Sequence, residues 1–258
     1  WGDSATFLPA TMYEYYGDKE MLETYYPLMK DWVDWITRQD QARGQKYQFD
    51  FAFTFGDWLA LDGMTEQSFK GSTDDAYVST CYYYASAKKV ADAAKVLGKA
   101  EDASEYEALA EHIRQAILDE YFTKIDTQTA YMVALKFGLW IDKDRLTDGL
   151  RKRLDKDAHK IKGGFVGATM MCRVLAENGL EDEAWYMLFN HDFPGWLHCV
   201  DLGATTIWER WNSLLDDGSI SGTGMNSLNH YSYGSVLEYI YRDMAGIAPA
   251  APGFTKAV

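Results

Sequence analysis

Hydrophobic side chains recur at intervals of three and four residues along most of this 258-residue chain. The clearest stretch is MLETYYPLMKDWVDWITRQ, residues 21–39, in which the apolar positions fall on one face of a helix. The same pattern predicts two further long helices, at 72–98 and 102–122. Shorter helices are predicted at 129–137, 144–156, 168–178, 181–190 and 227–244.

Residues that favour helix ends refine the limits of these helices. Ser72 or Thr73 is expected to cap the start of the second long helix, and Gly98 to end it. Asp102 is expected to cap the third long helix. Gly179 separates two of the shorter helices, which is typical of the turn in an antiparallel helical hairpin.

Alternation of apolar and polar positions, which is typical of strands, is confined to short pieces around 47–54. The chain is long enough to bury a substantial core. The sequence therefore predicts one all-α domain of roughly nine or ten helices, arranged as successive hairpins.

Three segments interrupt the helical pattern, and each is rich in Gly, Asp, Trp or Asn. They are FTFGDWLALDG (53–63), FPGWLHCVDLGATTIWERWNS (193–213) and DDGSISGTGMNSLNHYSYGS (216–235). Loops on a rigid scaffold are where binding groups concentrate. In a ring of helical hairpins the loops at one end surround a common cavity, so we expect these segments to form the site.

Composition narrows the class of ligand. Aromatic residues make up 15% of the chain, with 9 Trp and 18 Tyr, which favours a site where rings pack on a ligand such as a sugar. The formal net charge of −14 argues against nucleic acid or an anionic membrane as a partner. No apolar run is long enough for membrane insertion. The start, WGDSATFLP, has no initiator Met and no basic leader, so we interpret it as a cut inside a longer protein and infer no compartment.

Glu209 is the first candidate for chemistry. It stands between Trp208 and Trp211 in GATTIWERWNS, beside Arg210. Flanking indoles would raise the pKa of this carboxyl, and an arginine pointing the same way would lower it. A carboxylate tuned in this way suits acid–base work. A structural ion pair between Glu209 and Arg210 is the alternative reading.

Further candidates combine an acid with an indole. Asp57 and Asp62 bracket Trp58 in GDWLALD, and Trp1 and Asp3 have the same composition in WGDS. Carboxylates can accept hydrogen bonds from sugar hydroxyls while the ring covers an apolar face. Each of these aspartates is equally suited to capping a helix.

Histidine, cysteine and serine give weaker signals. His230, in SLNHYSYGS, is a candidate site residue or a hydrogen-bonded structural one. His191 and His198 lack the spacing of a helical metal pair, and the three cysteines lie far apart, so neither a metal site nor a disulfide framework is predicted. No G-x-S-x-G nucleophile motif and no phosphate-binding loop occurs, so no cofactor is predicted. The residues favour a carbohydrate site on a helical scaffold.

The order of these motifs resembles the catalytic domain of the family 78 glycoside hydrolases, the α-L-rhamnosidases. The resemblance rests on WGDSA, GDWLALD, GGFVGATMMCRVLAENGLEDEAWYMLFNHDFPGWLHCV, GATTIWERWNS, GMNSLNHYSYGSV and GIAPAAPGF, and it extends from the first residue almost to the last. It implies an (α/α)6 barrel, a six-hairpin toroid, and an inverting mechanism. Glu209 is then similar to the general base that activates water. The residues similar to sugar contacts are Trp1, Asp3, Trp58, Asp62, Trp196 and His230, with the indoles, Trp208 among them, walling the pocket.

One departure from the family pattern matters. In the family the general acid is a glutamate a few residues before the tryptophan that matches Trp1, so we expect it outside this chain. A complete six-hairpin barrel also has more helices than the roughly nine or ten predicted. Residues 1–258 are therefore interpreted as a single catalytic domain truncated at its N-terminus, inactive or nearly so alone.

The expected partners are a rhamnose-containing carbohydrate or glycoside and other domains of the same parent chain. Two alternatives stay open. One is another (α/α)6 glycosidase acting on a different sugar or uronide, and the other is a carbohydrate-binding domain without catalysis.

Overall fold

Helices dominate the computed structural model, which describes residues 1–65, 68–222 and 224–258. The α-helices in these ranges are α1 (Ser4–Tyr16), α2 (Lys19–Gln41), α3 (Asp75–Val96), α4 (Ala100–Tyr121), α5 (Gln128–Phe137), α6 (Lys143–Lys156), α7 (Gly167–Glu177), α8 (Glu181–Phe189), α9 (Trp196–Asp201) and α10 (Val236–Tyr239). Short 3₁₀ turns lie at Phe122–Lys124, Ser232–Ser235 and Pro252–Phe254, and a π-helical turn at Ile240–Met244 continues α10. Two short antiparallel strands follow, β1 (Pro249–Ala251) and β2 (Lys256–Ala257). No helix in the described ranges combines the length and apolar character needed to cross a membrane.

The predicted cap of α3 is wrong by one or two residues. Asp74 caps this helix, because its carboxylate accepts the backbone N–H of Tyr77 at 2.8 Å. Ser72 and Thr73 lie before the cap. An ionised carboxylate is a stronger acceptor than a hydroxyl and also interacts favourably with the helix dipole, which explains the choice.

The chain divides into two compact units, and the first comprises Trp1–Phe55, Asp74–Lys124 and Gly246–Val258. Helices α3 and α4 form a hairpin, and α1 and α2 form another. Gly98, between α3 and α4, has φ 72°, a conformation that favours glycine, so the predicted stop is confirmed. The buried core of this unit includes Val33, Ile36, Tyr83, Tyr106 and Ile113.

Asp102 does not cap α4, contrary to expectation. The helix begins at Ala100, so Asp102 lies in its first turn, and its carboxylate accepts hydrogen bonds from Lys30 Nζ and Tyr26 OH, each at 2.8 Å. Both partners belong to α2. The ammonium of Lys30 and then the hydroxyl of Tyr26 hold the pKa of Asp102 below its usual range.

Asp102→Asn is therefore expected to lower the free energy of unfolding by about 1 kcal/mol at pH 7. A lowered folded-state pKa stabilises the fold above the unfolded pKa of about 3.9, and this contribution is lost as the pH falls through the folded pKa. The difference between variant and wild type should thus shrink below about pH 4. Denaturant unfolding from pH 7 to pH 3, with the exposed Asp216→Asn as control, measures it. A difference that does not change with pH would contradict the assignment.

The second unit comprises Gly56–Thr73 and Ile125–Ala245 and contains α5 to α10. Its helices α7 and α8 form the predicted hairpin around Gly179, whose φ is 74°. The predictions for α5 to α8 agree with the observed limits within one residue. Helix α9 was missed because it is six residues long and lies inside a segment predicted as loop. The buried core includes Met132, Leu150, Leu154, Val174 and Leu175.

Two other expectations are corrected. Residues 47–54 form no strand, and the only named strands in the described ranges are β1 and β2 near the end of the chain. The helix predicted over 227–244 begins only at 232, after the loop that carries His230. Position 223 of the predicted loop 216–235 lies outside the described residues.

Candidate functional site

The GDWLALD segment and residues 162–167 are joined side by side within the second unit. The backbone N–H of Phe165 donates to the carbonyl of Trp58, and that of Leu61 donates to the carbonyl of Lys162, each at 2.8 Å. The two segments therefore form one surface, although they are about a hundred residues apart in the sequence.

A second pair of segments carries the glutamate. The N–H of Glu209 donates to the carbonyl of Ser227 at 2.9 Å, and the N–H of His230 donates to that of Ile207 at 2.7 Å. The loops around Glu209 and His230, predicted from sequence to form one site, thus lie together.

The Glu209 carboxylate is buried, with 6% of the residue exposed. Its Oε2 accepts the backbone N–H of Ser227 at 2.7 Å. Among the described residues no partner is found for its Oε1. Arg210 points elsewhere, since its Nη1 donates to the carbonyl of Gly224 at 3.3 Å, so the structural ion pair left open by the sequence does not form. One oxygen is fixed and the other remains available to a ligand or a water.

Packed rings surround this segment. Trp211 stacks on Tyr233 with ring centres 4.0 Å apart, and Trp196 meets Trp211 edge to face at 5.0 Å. The indole N–H of Trp196 donates to the backbone carbonyl of Tyr233 at 2.9 Å. These contacts hold the rings rigidly, because each is fixed by at least two neighbours.

A small cavity of about 10 Å³ lies against the stacked pair. Three buried polar atoms of the residues lining it have no hydrogen-bond partner within the described part of the chain: Trp211 Nε1, Tyr233 OH and Arg210 Nε. Leu59 and Leu61 line it too, so the GDWLALD and WERW segments meet here. Burial raises the pKa of Tyr233, and the charges of Asp57 and Glu209 raise it further. The cavity suits one hydroxyl or one water.

A larger cavity of about 280 Å³ is also lined by Trp211 and Tyr233. Its walls are mostly apolar: Trp196, Cys199, Val200, Ala204, Thr205, Thr206, Ile207, Trp208, Trp211 and Tyr233. Trp196 and Trp208, both predicted site residues, are buried in this wall with 8% and 5% exposed.

His230 is held between rings. Its imidazole stacks on Phe165 with centres 5.0 Å apart and on Tyr231 at 5.1 Å. Its Nδ1 accepts the backbone N–H of Ser232 at 3.3 Å, which leaves Nε2 as the nitrogen able to carry the proton. His230 can therefore donate a hydrogen bond to a ligand.

The two aspartates of GDWLALD have different surroundings. Asp57 is 1% exposed, and its carboxylate accepts hydrogen bonds from four groups of the second unit. Asp62 is half-buried, and its Oδ1 accepts the N–H of Ser72 at 2.9 Å. Burial raises the pKa of each of the two carboxyls.

Trp1 and Asp3 belong to the first unit. Trp1 is 58% exposed and stacks on Phe55 with ring centres 4.2 Å apart. Asp3 Oδ1 accepts hydrogen bonds from Trp32 Nε1 and Ser86 Oγ, each at 3.1 Å. Asp3 is thus anchored to α2 and α3.

Four residues of this site were not predicted from sequence: Thr129, Phe165, Trp211 as a polar lining group, and Tyr233. Tertiary packing brings these residues to the site, and the local pattern of apolar and polar positions in the sequence does not indicate it. Within the described ranges, no group of three or more His, Cys, Asp or Glu side chains could hold a metal ion.

Comparison with known proteins gives matches along the whole chain. The family described as the bacterial alpha-L-rhamnosidase 6 hairpin glycosidase domain matches residues 1–244. An alpha-L-rhamnosidase of Alteromonas sp. (strain LOR) is 36% identical over 100% of this chain and 29% of its own length.

Two solved structures share the fold. The Streptomyces avermitilis alpha-L-rhamnosidase, solved in complex with L-rhamnose, superposes with a TM-score of 0.88 at 32% identity over 100% of this chain and 24% of its own. The native alpha-L-rhamnosidase of Aspergillus terreus superposes with a TM-score of 0.89 at 30% identity, over 98% of this chain and 30% of its own. The chain thus spans 24–30% of the length of these three relatives.

Proposed function

Because the chain belongs to the bacterial α-L-rhamnosidase six-hairpin glycosidase family, we propose that the protein carrying it releases terminal α-L-rhamnose from glycosides or polysaccharides. The bond is hydrolysed with inversion, and Glu209 is the general base. Residues 1–258 act as a single catalytic domain, a proposal supported by one family match that spans both compact units.

The observation that carries this proposal is the setting of Glu209. The carboxylate is buried, its Oε2 is held by the Ser227 N–H, and its Oε1 has no partner among the described residues, so it has a fixed direction and one available acceptor. A base that removes a proton from water needs a fixed direction and an available acceptor oxygen, since the attacking water oxygen must be aimed at the anomeric carbon. Aromatic walls beside it provide the dry, rigid surface that a sugar ring requires.

In the proposed reaction Glu209 takes a proton from water as the water oxygen bonds to the anomeric carbon. The bond from that carbon to the leaving oxygen breaks, and a second carboxylic acid protonates the leaving group. Attack from the face opposite the leaving group converts an α-linked rhamnoside into β-L-rhamnose. Acid and base in such a site lie about 6.5–9.5 Å apart, which leaves room for the water.

The family resemblance is the support for a glutamate as this second carboxylic acid. Asp57 is engaged by four internal donors, so it is not placed to deliver a proton. Three groups of the second unit are proposed to contact the sugar: Asp62 Oδ2, the half-buried Trp58 and the His230 Nε2 proton. Trp196 and Trp208 are proposed to support the aromatic wall of the pocket. The family resemblance is the support for Trp1 and Asp3 as further proposed sugar contacts. The natural partners are rhamnose-containing carbohydrates and the other domains of the full-length protein.

A panel of nitrophenyl glycosides tests the substrate class. The full-length protein should hydrolyse the α-L-rhamnoside at least about a hundredfold faster than the α-D-mannoside or the β-D-glucuronide, because a site built for one set of hydroxyls rejects others strongly. Preference for the uronide would indicate another glycosidase activity. Binding of rhamnose without hydrolysis of any member would indicate a carbohydrate-binding domain.

Tyr233→Phe tests the small cavity. The buried hydroxyl has no hydrogen-bond partner among the residues that the structure describes, so its removal should leave the free energy of unfolding unchanged or slightly higher. If the hydroxyl bonds to the sugar, kcat/KM on the aryl rhamnoside should fall about 2- to 12-fold, the effect of one neutral hydrogen bond. An unchanged kcat/KM would remove Tyr233 from the sugar site.

A further inference from the structure

Asp57 connects three separate pieces of the second unit. Its Oδ1 accepts the backbone N–H groups of Val166 at 2.8 Å and Gly167 at 3.3 Å. Its Oδ2 accepts the N–H of Gly164 at 2.9 Å and the hydroxyl of Thr129. The carboxylate of the GDWLALD segment thus ties together the start of α5 and the start of α7.

The four donors saturate this carboxylate. Asp57 is 1% exposed and Thr129 is 0% exposed, so neither can reach a ligand in this arrangement. Burial raises the pKa of Asp57 while its donors favour the charged form. A carboxylate that accepts only from internal donors organises the chain around it and has little capacity left for a sugar hydroxyl.

Two glycines make the close contact possible. A Cβ at Gly164 would lie 2.2 Å from the carbonyl oxygen of Trp58, and one at Gly167 would lie 2.1 Å from Thr129 Oγ1. Any other residue at either position would push the segments apart. The segments therefore approach each other at Asp57 more closely than a side chain at position 164 or 167 would allow.

Side chains of the proposed sugar site extend directly from this contact. Trp58 follows Asp57 in the chain, and its carbonyl accepts the N–H of Phe165. Phe165 lies between Gly164 and Val166, both of which donate to Asp57, and its ring stacks on His230. A shift of residues 164–166 would therefore move Trp58 and the Phe165–His230 pair relative to each other.

We propose that Asp57 is a positioning residue that sets the placement of Trp58 against the Phe165–His230 pair, and that it does not contact the sugar itself. This inference rests on the proposed function, because it assigns Trp58 and His230 to a sugar site. It replaces the sequence-based prediction that Asp57 binds substrate directly.

Calorimetric binding of L-rhamnose to the full-length protein tests the inference. Asp57→Asn keeps one acceptor oxygen but turns an NH₂ group toward backbone donors, so the segments must separate. Rhamnose affinity should fall at least about tenfold, as expected for a small displacement of binding groups. The matched control is Asp40→Asn, since Asp40 is also buried, at 2% exposed, and accepts the N–H groups of Lys46 and Tyr47 in the first unit. Asp40→Asn should lower the free energy of unfolding, but its rhamnose affinity should fall by less than about twofold.

A second pair of variants covers the case in which Asp57→Asn does not fold. Thr129→Val removes one donor to Asp57 without changing the shape, and Thr129→Ser keeps it. Because Thr129 is fully buried, any loss of affinity in Thr129→Val must be transmitted through the contact with Asp57. We expect about a threefold or larger loss in Thr129→Val and wild-type affinity in Thr129→Ser.

The outcomes separate the two claims. Absence of rhamnose binding to the wild-type protein would overturn the proposed function and this inference with it. Wild-type binding that is unchanged in Asp57→Asn, or in both Thr129 variants, would overturn the inference alone. Equal losses in Asp57→Asn and Asp40→Asn would also overturn it, since the effect would then be general softening of the fold.

Discussion

Glu209→Gln in the full-length protein is expected to lower kcat on an aryl α-L-rhamnoside by about 10²–10⁴-fold, the usual contribution of a general base. Glutamine keeps the size of glutamate and an oxygen that can accept the Ser227 N–H, but it cannot take a proton at neutral pH. The segment around it should stay in place. Affinity for rhamnose should therefore change little, although kcat falls strongly.

Two additions sharpen this experiment. Azide needs no deprotonation before it attacks, so it should restore turnover to Glu209→Gln and give an inverted glycosyl azide. Glu181→Gln, which changes an exposed glutamate at the start of α8, is the matched control and should keep wild-type kcat. A loss below about tenfold in Glu209→Gln would remove this residue from the role of base.

The second large effect concerns the 258-residue chain by itself. It should hydrolyse the aryl rhamnoside about 10²–10⁴-fold more slowly than the full-length protein, because protonation of the leaving group would be missing. Circular dichroism must first show that the isolated chain is helical, so that the loss reports on chemistry. Turnover equal to that of the full-length protein would place the acid inside this chain, and Asp57 and Asp62 would then be tested by substitution.

The fold class was predictable from sequence because its signal is local. Apolar spacing of three and four predicted α5 to α8 within one residue of their observed limits. The six-hairpin class was implied by the family resemblance, and the family match and the solved relatives confirm it. The capping residues at the helix ends were predicted less well. Asp74 caps α3 in place of Ser72 or Thr73, and Asp102 turns toward Lys30 and Tyr26 instead of capping α4, because tertiary partners outcompete the local backbone.

The site was predictable only in outline. Motif order predicted that Glu209, Trp58 and His230 lie in loops. The structure pairs the loops of Glu209 and His230, and it brings the GDWLALD and WERW segments to one small cavity. The fate of each carboxylate was not predictable. Asp57 and Asp62 are five positions apart and look alike in GDWLALD, yet one is saturated by donors from α5 and α7 while the other holds a local turn. Such differences depend on contacts about seventy to a hundred residues away in the chain, which no local pattern records.

The stereochemistry of the first product tests the central claim most directly. Hydrolysis of an aryl α-L-rhamnoside by the full-length protein would be followed by proton NMR from the first minutes, before mutarotation mixes the anomers. An inverting site with Glu209 as base predicts that β-L-rhamnose appears first and the α anomer only later. Initial release of α-L-rhamnose, or no release of rhamnose at all, would contradict the account.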